Sequence, residues 1–245
     1  MTFTLSAFLR FSQCGHRYWL QDVEGVQALP RTRQVVSQAV RRAIHADLLR
    51  KVQTNALLSA QEARQSIESA TRLIASWGVD YTPEQAATGQ SRALDAMIFS
   101  ATRMYMMWRA VVAPKVEPIA LSKPFELQIA GHTITGTIDV EEAGLVRITK
   151  VRGRRPEAHE TEHDLAATIA GLAVSAAEVE TDFLVDQKEA ALVRQVAEIN
   201  PARVAALEER VQASARAVEA GVFLPAAPGD WRCLACPLRE VCRYV

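Results

Sequence analysis

The sequence predicts an α/β (α+β) fold in which a helical N-terminal part leads into a sheet interrupted by one helix. Three observations carry that reading. Up to about residue 115 the apolar residues recur at helical spacing. The chain then turns to short runs rich in β-branched residues, interrupted by a helical stretch. A last helix runs into a tail rich in Pro and Cys. Helices followed by strands with an intervening helix imply layers packed on one sheet. With 245 residues the chain can form one large domain or two small ones. It reads as a single domain over 1–245: a mainly helical part to residue 115, a sheet core with a central helix over 116–199, and a closing helix and cysteine segment over 200–245.

The elements follow in chain order. "RQVVSQAVRRAIHADLLRKVQ" places Val36, Val40, Ala43, Ile44, Leu48 and Val52 on one stripe. "SAQE", Ser59 to Glu62, is a capping box that opens a second helix. "TPEQ", Thr82 to Gln85, offers an N-cap Thr with Pro at the first helical position, and the helix it opens is expected to continue through "SRALDAMIFSATRMYMMWRAVV". The Met-rich "MYMMW" reads as core packing. "SKPFELQIAGHTITGTIDVEEAGLVRITKVRG" reads as three antiparallel strands with turns at Gly131 and "EEAG". A helix is expected over about 160–179, then a strand "TDFLVDQ", with "EAALVRQVAEI" as a further strand candidate. Asn200–Pro201 starts a final helix that runs to about Glu219 and stops at Gly221.

Composition narrows the function classes. Hydrophobic residues make up 49% and charged residues 23%, so a packed globular core is expected. The formal net charge is zero, which argues against a uniformly basic nucleic-acid binder but allows a local basic patch. No apolar run approaches the roughly 18 residues of a bilayer span. "MTFTLSAFLRFSQC" is too short and polar for a secretory signal, so a cytoplasmic location is expected.

In a reducing compartment the four cysteines, Cys14, Cys233, Cys236 and Cys242, favour a metal site over disulfides. "WRCLACPLREVC" has Cys-x2-Cys-x5-Cys spacing, which lets three thiolates close on one centre, and Cys14 is the remaining candidate for a fourth. Zinc stays open, but zinc sites usually pair two short knuckles. A solitary fourth ligand about 220 residues away favours an iron–sulfur cluster. Either centre would staple the two ends of the chain.

With these residues in view, the chain resembles the iron–sulfur branch of the RecB-type nucleases in the PD-(D/E)xK superfamily, the branch of the CRISPR-adaptation exonuclease and the AddB nuclease domain. "LSAFLRFSQCGHRYWLQ" resembles the opening pattern, with Cys14 as first cluster cysteine. "RRAIHADLL" resembles the helical histidine motif and places His45 as a metal ligand. "GTIDV" resembles the Gly-x-Ile-Asp strand and places Asp139 as the central metal-binding carboxylate. "AVEAGVFLPAAPGDWRCLACPLREVC" resembles the terminal helix, link and cysteine triplet. The resemblance implies a restriction-endonuclease-like mixed sheet, a [4Fe-4S] cluster on the four cysteines, a divalent-metal site and DNA as substrate.

One element of the pattern is missing. The family's next strand reads apolar-Asp/Glu-x-Lys before Thr-Gly. Anchored on Gly153, it puts Thr149 at the acid and Val151 at the lysine. A one-residue slip recovers Lys150 as a vestigial catalytic lysine but places Ile148 at the acid. Neither face of the strand carries a carboxylate, so affinity for Mg2+ or Mn2+ is expected to be poor. Glu141 and Glu142 read as solvated turn residues, with migration into the site as the alternative. The later Gln-x-x-x-Tyr helix motif is blurred as well, since "EHDLAATIAGLA" has neither residue. Arg152, Arg154 and Arg155, with Lys150, Arg41 and Arg42, could neutralise DNA phosphates or form a solvated basic surface. The expected function is a DNA-processing protein, impaired in catalysis, that binds single-stranded DNA, a duplex end or a protein partner within a larger complex. An active metal-dependent exonuclease with a relocated acid and a purely structural subunit are the alternatives.

Overall fold

The computed structural model describes residues 1–227, 230, 233 and 236–244, so the Pro-rich link before the cysteines lies partly outside the described residues. The N-terminal segment forms β1 (Thr2–Thr4), α1 (Leu5–Gln13), α2 (Gly15–Tyr18) and a π-helical turn over Trp19–Val23. Three long helices follow: α3 (Thr32–Thr54), α4 (Ala60–Ala75) and, after the short α5 (Pro83–Thr88), α6 (Gln90–Val111). The expectation of one helix from Thr82 onward is corrected at Gly89. Its φ of 89° lies outside the helical region, so α5 ends there and α6 begins anew.

The capping box at Ser59 forms as read. Ser59 Oγ accepts from Glu62 N at 3.2 Å and Glu62 Oε2 accepts from Ser59 N at 2.8 Å. Ser59→Ala is expected to lower stability by about 1 kcal/mol, read as a lower urea midpoint at constant slope. An unchanged midpoint would mean that water replaces the cap without loss.

The helical layer packs around Val35, Ala39, Val40, Leu48, Ile67, Met104 and Trp108. Val52 departs from the expected stripe and is 56% exposed. The reason lies one residue earlier. Lys51 Nζ donates to the carbonyls of Ala113, Pro114 and Val116 at 3.0, 3.1 and 2.6 Å, so the polar side of the last turn of α3 faces inward. Asp47, unremarked in the sequence, is buried between α3 and α6, where it accepts from Leu58 N at 2.7 Å, Tyr105 Oη at 2.8 Å and Arg109 Nε at 2.8 Å. Burial and the Asp47 charge hold the Tyr105 phenol far above its ordinary pKa.

The sheet has six strands. β2 (Ala120–Ile129), β3 (His132–Glu142) and β4 (Leu145–Arg152) form the expected antiparallel set. α7 (Leu165–Ala173) then crosses to β5 (Glu178–Val185), which pairs parallel with β4 and antiparallel with β6 (Ala191–Glu198). α8 (Pro201–Glu219) closes the domain. α7 is shorter than the expected 160–179. Asp164 Oδ1 caps it by accepting from Ala166 N at 3.0 Å, and Ser175 adopts φ 54° beyond its end, which releases the chain into β5.

The α3–α4–α6 layer covers one face of the sheet, where Val140, Val151 and Leu184 join its core. α7 covers the other through Ile138, Val146 and Val179. α1 and α8 pack beside it around Phe3, Phe8, Ile134, Leu207 and Val211.

Candidate functional site

β3 is the organising strand. β2 runs along one edge of it. Its other edge is shared: β1 pairs in parallel at Thr133–Thr135, and β4 pairs antiparallel at Val140–Glu142. Gly136 to Asp139 lie between these two ladders, so the edge forks immediately before the β4 pairing begins. Asp139 stands at that fork. Opposite it in the β2 register is Ser122, which adopts φ 49°, a left-handed conformation that costs energy in a non-glycine residue.

A cavity of about 360 Å³ opens here between α3 and the sheet, lined by Gln38, Arg41, Arg42, His45, Ser122, Asp139 and Thr149, with Ile44 and Val140 as apolar floor. His45 and Asp139, singled out by sequence motif, therefore meet in one cavity with Thr149. Arg41 lies one turn before His45 on α3 and donates from Nη2 to Asp139 Oδ1 at 2.7 Å. The carboxylate oxygen that would coordinate a cation is held by a guanidinium.

β4 settles which of its faces meets the cavity. Thr149 lines it, on the face shared with Arg147 and Val151. Lys150 projects the other way, where its ammonium pairs with Asp164 at the start of α7. Burial lowers the Lys150 pKa to about 8, the Arg152 charge adds to that, and Glu160 opposes it. The reading of Lys150 as a vestigial catalytic lysine is corrected on this geometry: a residue of the opposite strand face cannot reach Asp139. Val151, at the lysine position of the other register, packs in the hydrophobic core.

A carboxylate does stand beside Thr149, one strand over. Asp182 is the β5 partner of Thr149, and Glu180 is the partner of Arg147. Both acids are bound. Arg147 Nη1 donates to Asp182 Oδ2 at 3.1 Å and also contacts Glu180, while Arg147 Nε donates to Glu142 Oε1 at 2.7 Å. Arg194 Nε on β6 donates to Asp182 Oδ1 at 2.9 Å and lies 2.6 Å from Glu180 Oε1. Burial would lower the Arg147 guanidinium pKa, but the charges of Asp182, Glu142 and Glu180 together raise it.

Glu141 pairs with Lys123 at 2.8 Å, and Glu142 belongs to the Arg147 cluster. Neither Glu lines the cavity. Both belong to β3 rather than to the solvated turn expected of them, because the turn is made by Ala143 and Gly144 alone. Among the described residues, no three His, Cys, Asp or Glu side chains are grouped to hold one metal ion.

All four cysteines line a second, small cavity of about 30 Å³, with His16, Arg17, Leu20, Pro225, Leu238 and Tyr244. Two backbone amides, Arg17 N and Ala226 N, donate to Cys14 Sγ at 3.4 Å each. His16 N donates to Leu224 O at 3.3 Å, so the two chain ends run in direct backbone contact. Gly15 makes this approach possible, since a Cβ there would meet Leu224 O at 2.9 Å. Desolvation, reinforced by Cys14, Asp230, Cys236 and Cys242, pushes the Cys233 thiol pKa up. The basic residues read as a DNA path are partly engaged elsewhere. Arg152 pairs with Glu160 at 2.5 Å and Arg154 with Glu157 at 3.5 Å, while Arg155 is exposed.

A mixed sheet between helical layers, with a polar cavity at a fork in its central strand, is the architecture of a nuclease-type α/β protein. The chain belongs to the PD-(D/E)XK nuclease superfamily, whose family model matches residues 2–243. The crystal structure of a candidate exonuclease from Eubacterium rectale is similar with a TM-score of 0.60 at 11% identity, over 93% of this chain and 85% of that one. This likeness is one of fold. The crystal structure of SSO0001 aligns over 89% of this chain and 87% of that one at 10% identity, but with a TM-score of 0.39, too low to carry an argument. A search of curated proteins finds no match. Among the described residues no helix is long and apolar enough to cross a membrane.

Proposed function

We propose that this protein binds DNA within a cytoplasmic DNA-processing assembly, without cutting it, on a nuclease scaffold stapled by a [4Fe-4S] cluster. The observation that carries the silent site is the Arg41–Asp139 pair beside Thr149. Metal-assisted phosphodiester hydrolysis needs several oxygen ligands around a hard cation, to activate water and to neutralise the leaving oxygen. Here the cavity lining supplies one carboxylate, and a guanidinium already holds it. Asp182, the acid across from Thr149 on β5, has both oxygens bound by arginines.

The cysteine cavity fits a cluster by its donor set. Four thiols line one small cavity; the backbone amides that point at Cys14 Sγ and the Arg17 charge alongside favour bound thiolates, against the desolvation that raises the Cys233 thiol pKa. In a cubane each thiolate binds a different iron, so the four need not converge on one point as they would around zinc. When bound, the cluster supplies a covalent link between the chain ends, and this chain's own contribution is to hold Cys14 against the tail through Gly15 and Leu224.

A cleavage assay tests the reading. Cluster-intact protein with Mn2+ or Mg2+ is expected to leave single-stranded and duplex DNA uncut, and Asp139→Ala is expected to behave identically. Cutting by the wild type that disappears in Asp139→Ala would establish an active exonuclease instead. Absence of DNA binding at low salt would leave a purely structural subunit.

A further inference from the structure

The cavity at the fork has the wrong sign for a cation site. Two guanidiniums, Arg41 and Arg42, line it with one carboxylate, Asp139, and the remaining polar lining is Gln38, Ser122, Thr149 and His45. A divalent cation entering it meets net positive charge, whereas an anion is attracted. We infer that this cavity is a phosphate-binding pocket, in which Arg41 and Arg42 with the Ser122 and Thr149 hydroxyls take the oxygens of a phosphate ester where the superfamily's catalysts place metal. This deepens the non-cutting reading above and rests on it.

The geometry supports the assignment at three points. A guanidinium can match phosphate oxygens bidentately, and Arg41 already donates to a carboxylate oxygen here through one prong, Nη2, at 2.7 Å. The pair is open to solvent, with side-chain exposures of 51% for Arg41 and 34% for Asp139, so an incoming phosphate can compete for the guanidinium. The cavity, at about 360 Å³, is large enough for a phosphate and part of its sugar. In this arrangement Asp139 is a positioning residue: it orients Arg41 and competes with the ligand.

That last point gives the inference a signature opposite to that of a metal site. The full chain, with its cysteine centre intact and in EDTA, is titrated with a 5′-phosphorylated single-stranded oligonucleotide, and its melting temperature is measured with inorganic phosphate against chloride at equal ionic strength. Asp139→Asn is expected to tighten oligonucleotide binding about threefold or more, because a competing charge is removed. Arg41→Gln and Arg42→Gln are each expected to weaken it by about tenfold. Arg42→Gln leaves the Arg41–Asp139 pair untouched, so it decides the matter even if a variant at the pair does not fold.

Weaker binding in Asp139→Asn, or binding that requires Mn2+, overturns the pocket. Oligonucleotide binding that ignores all three substitutions also overturns it, while leaving DNA binding elsewhere on the protein intact. A phosphate-dependent rise in melting temperature that Arg42→Gln removes, without oligonucleotide binding, upholds the pocket, identifies free phosphate or a nucleotide as its ligand and removes the DNA role.

Discussion

Cys14→Ser is expected to bleach the protein and to cost a large part of its folding stability. The purified wild type should be brown and contain iron and acid-labile sulfide, and the variant should lose both. The size of the stability loss follows from where the four sulfurs sit in the chain. Cys14 belongs to the turn between α1 and α2 and the other three to the tail, so a shared centre closes a loop of about 220 residues. The loop-closure relation used for covalent cross-links gives about 5 kcal/mol for a loop of this length. Domains of ordinary stability hold roughly 5–15 kcal/mol in total. The variant should therefore show a much lower denaturation midpoint and early detachment of the N-terminal segment, detected as faster amide exchange in β1 and α1.

Gly15→Ala should act in the same direction, because its Cβ would push Leu224 away from Cys14. A colourless wild type that carries zinc would keep the staple and discard the iron–sulfur assignment. A Cys14→Ser protein with full iron content and an unchanged midpoint would discard both.

The sequence discloses elements whose signals are local. Ser59, Thr82 and Asn200 announce helix starts through side chains that cap within three residues, and all three do so in the structure. The Cys-x2-Cys-x5-Cys spacing and the Gly-x-Ile-Asp strand are likewise contiguous, and their residues line two cavities of the structure. What stays hidden is register. Whether Thr149 or Lys150 faces Asp139 depends on one residue of strand alternation, which the cationic run "VRITKVRGRR" fits either way. That Asp182 stands beside Thr149 depends on the β4–β5 pairing, between strands separated by α7. The Arg41–Asp139 pair joins residues 98 positions apart, and the packing of α3 on the sheet brings them together. The overlong helix over 160–179 arose from an Ala-rich run with no proline to stop it, where a left-handed Ser175 ends the helix instead.

The same hidden register produces the second large effect. Arg147→Met is expected to destabilise the fold by about 3–5 kcal/mol, because it removes the central cation from a buried cluster while keeping most of the side-chain volume. Arg147 is 5% exposed and faces Glu142, Glu180 and Asp182 at once; without it Arg194 still opposes Glu180 and the wholly buried Asp182, and Glu142 loses its arginine. A mutant cycle separates this charge effect from lost packing. Adding Glu180→Gln to Arg147→Met should recover part of the loss, since it removes one of the uncompensated charges, and the recovery should exceed any gain from Glu180→Gln alone. Urea unfolding of the four proteins gives the coupling directly.

A loss below about 1 kcal/mol in Arg147→Met would mean that the cluster is solvated and contributes as weakly as an exposed pair. That result would bear on the cavity as well, because Asp182 is kept from serving Thr149's neighbourhood only while Arg147 and Arg194 occupy its two oxygens. The variant should accordingly be tested for Mn2+-dependent cleavage. Continued silence is expected, since Arg194 still holds Asp182 Oδ1 and Arg41 still holds Asp139. Cleavage gained on removing Arg147 would show that a relocated acid lies one ion pair away from restoring the metal site.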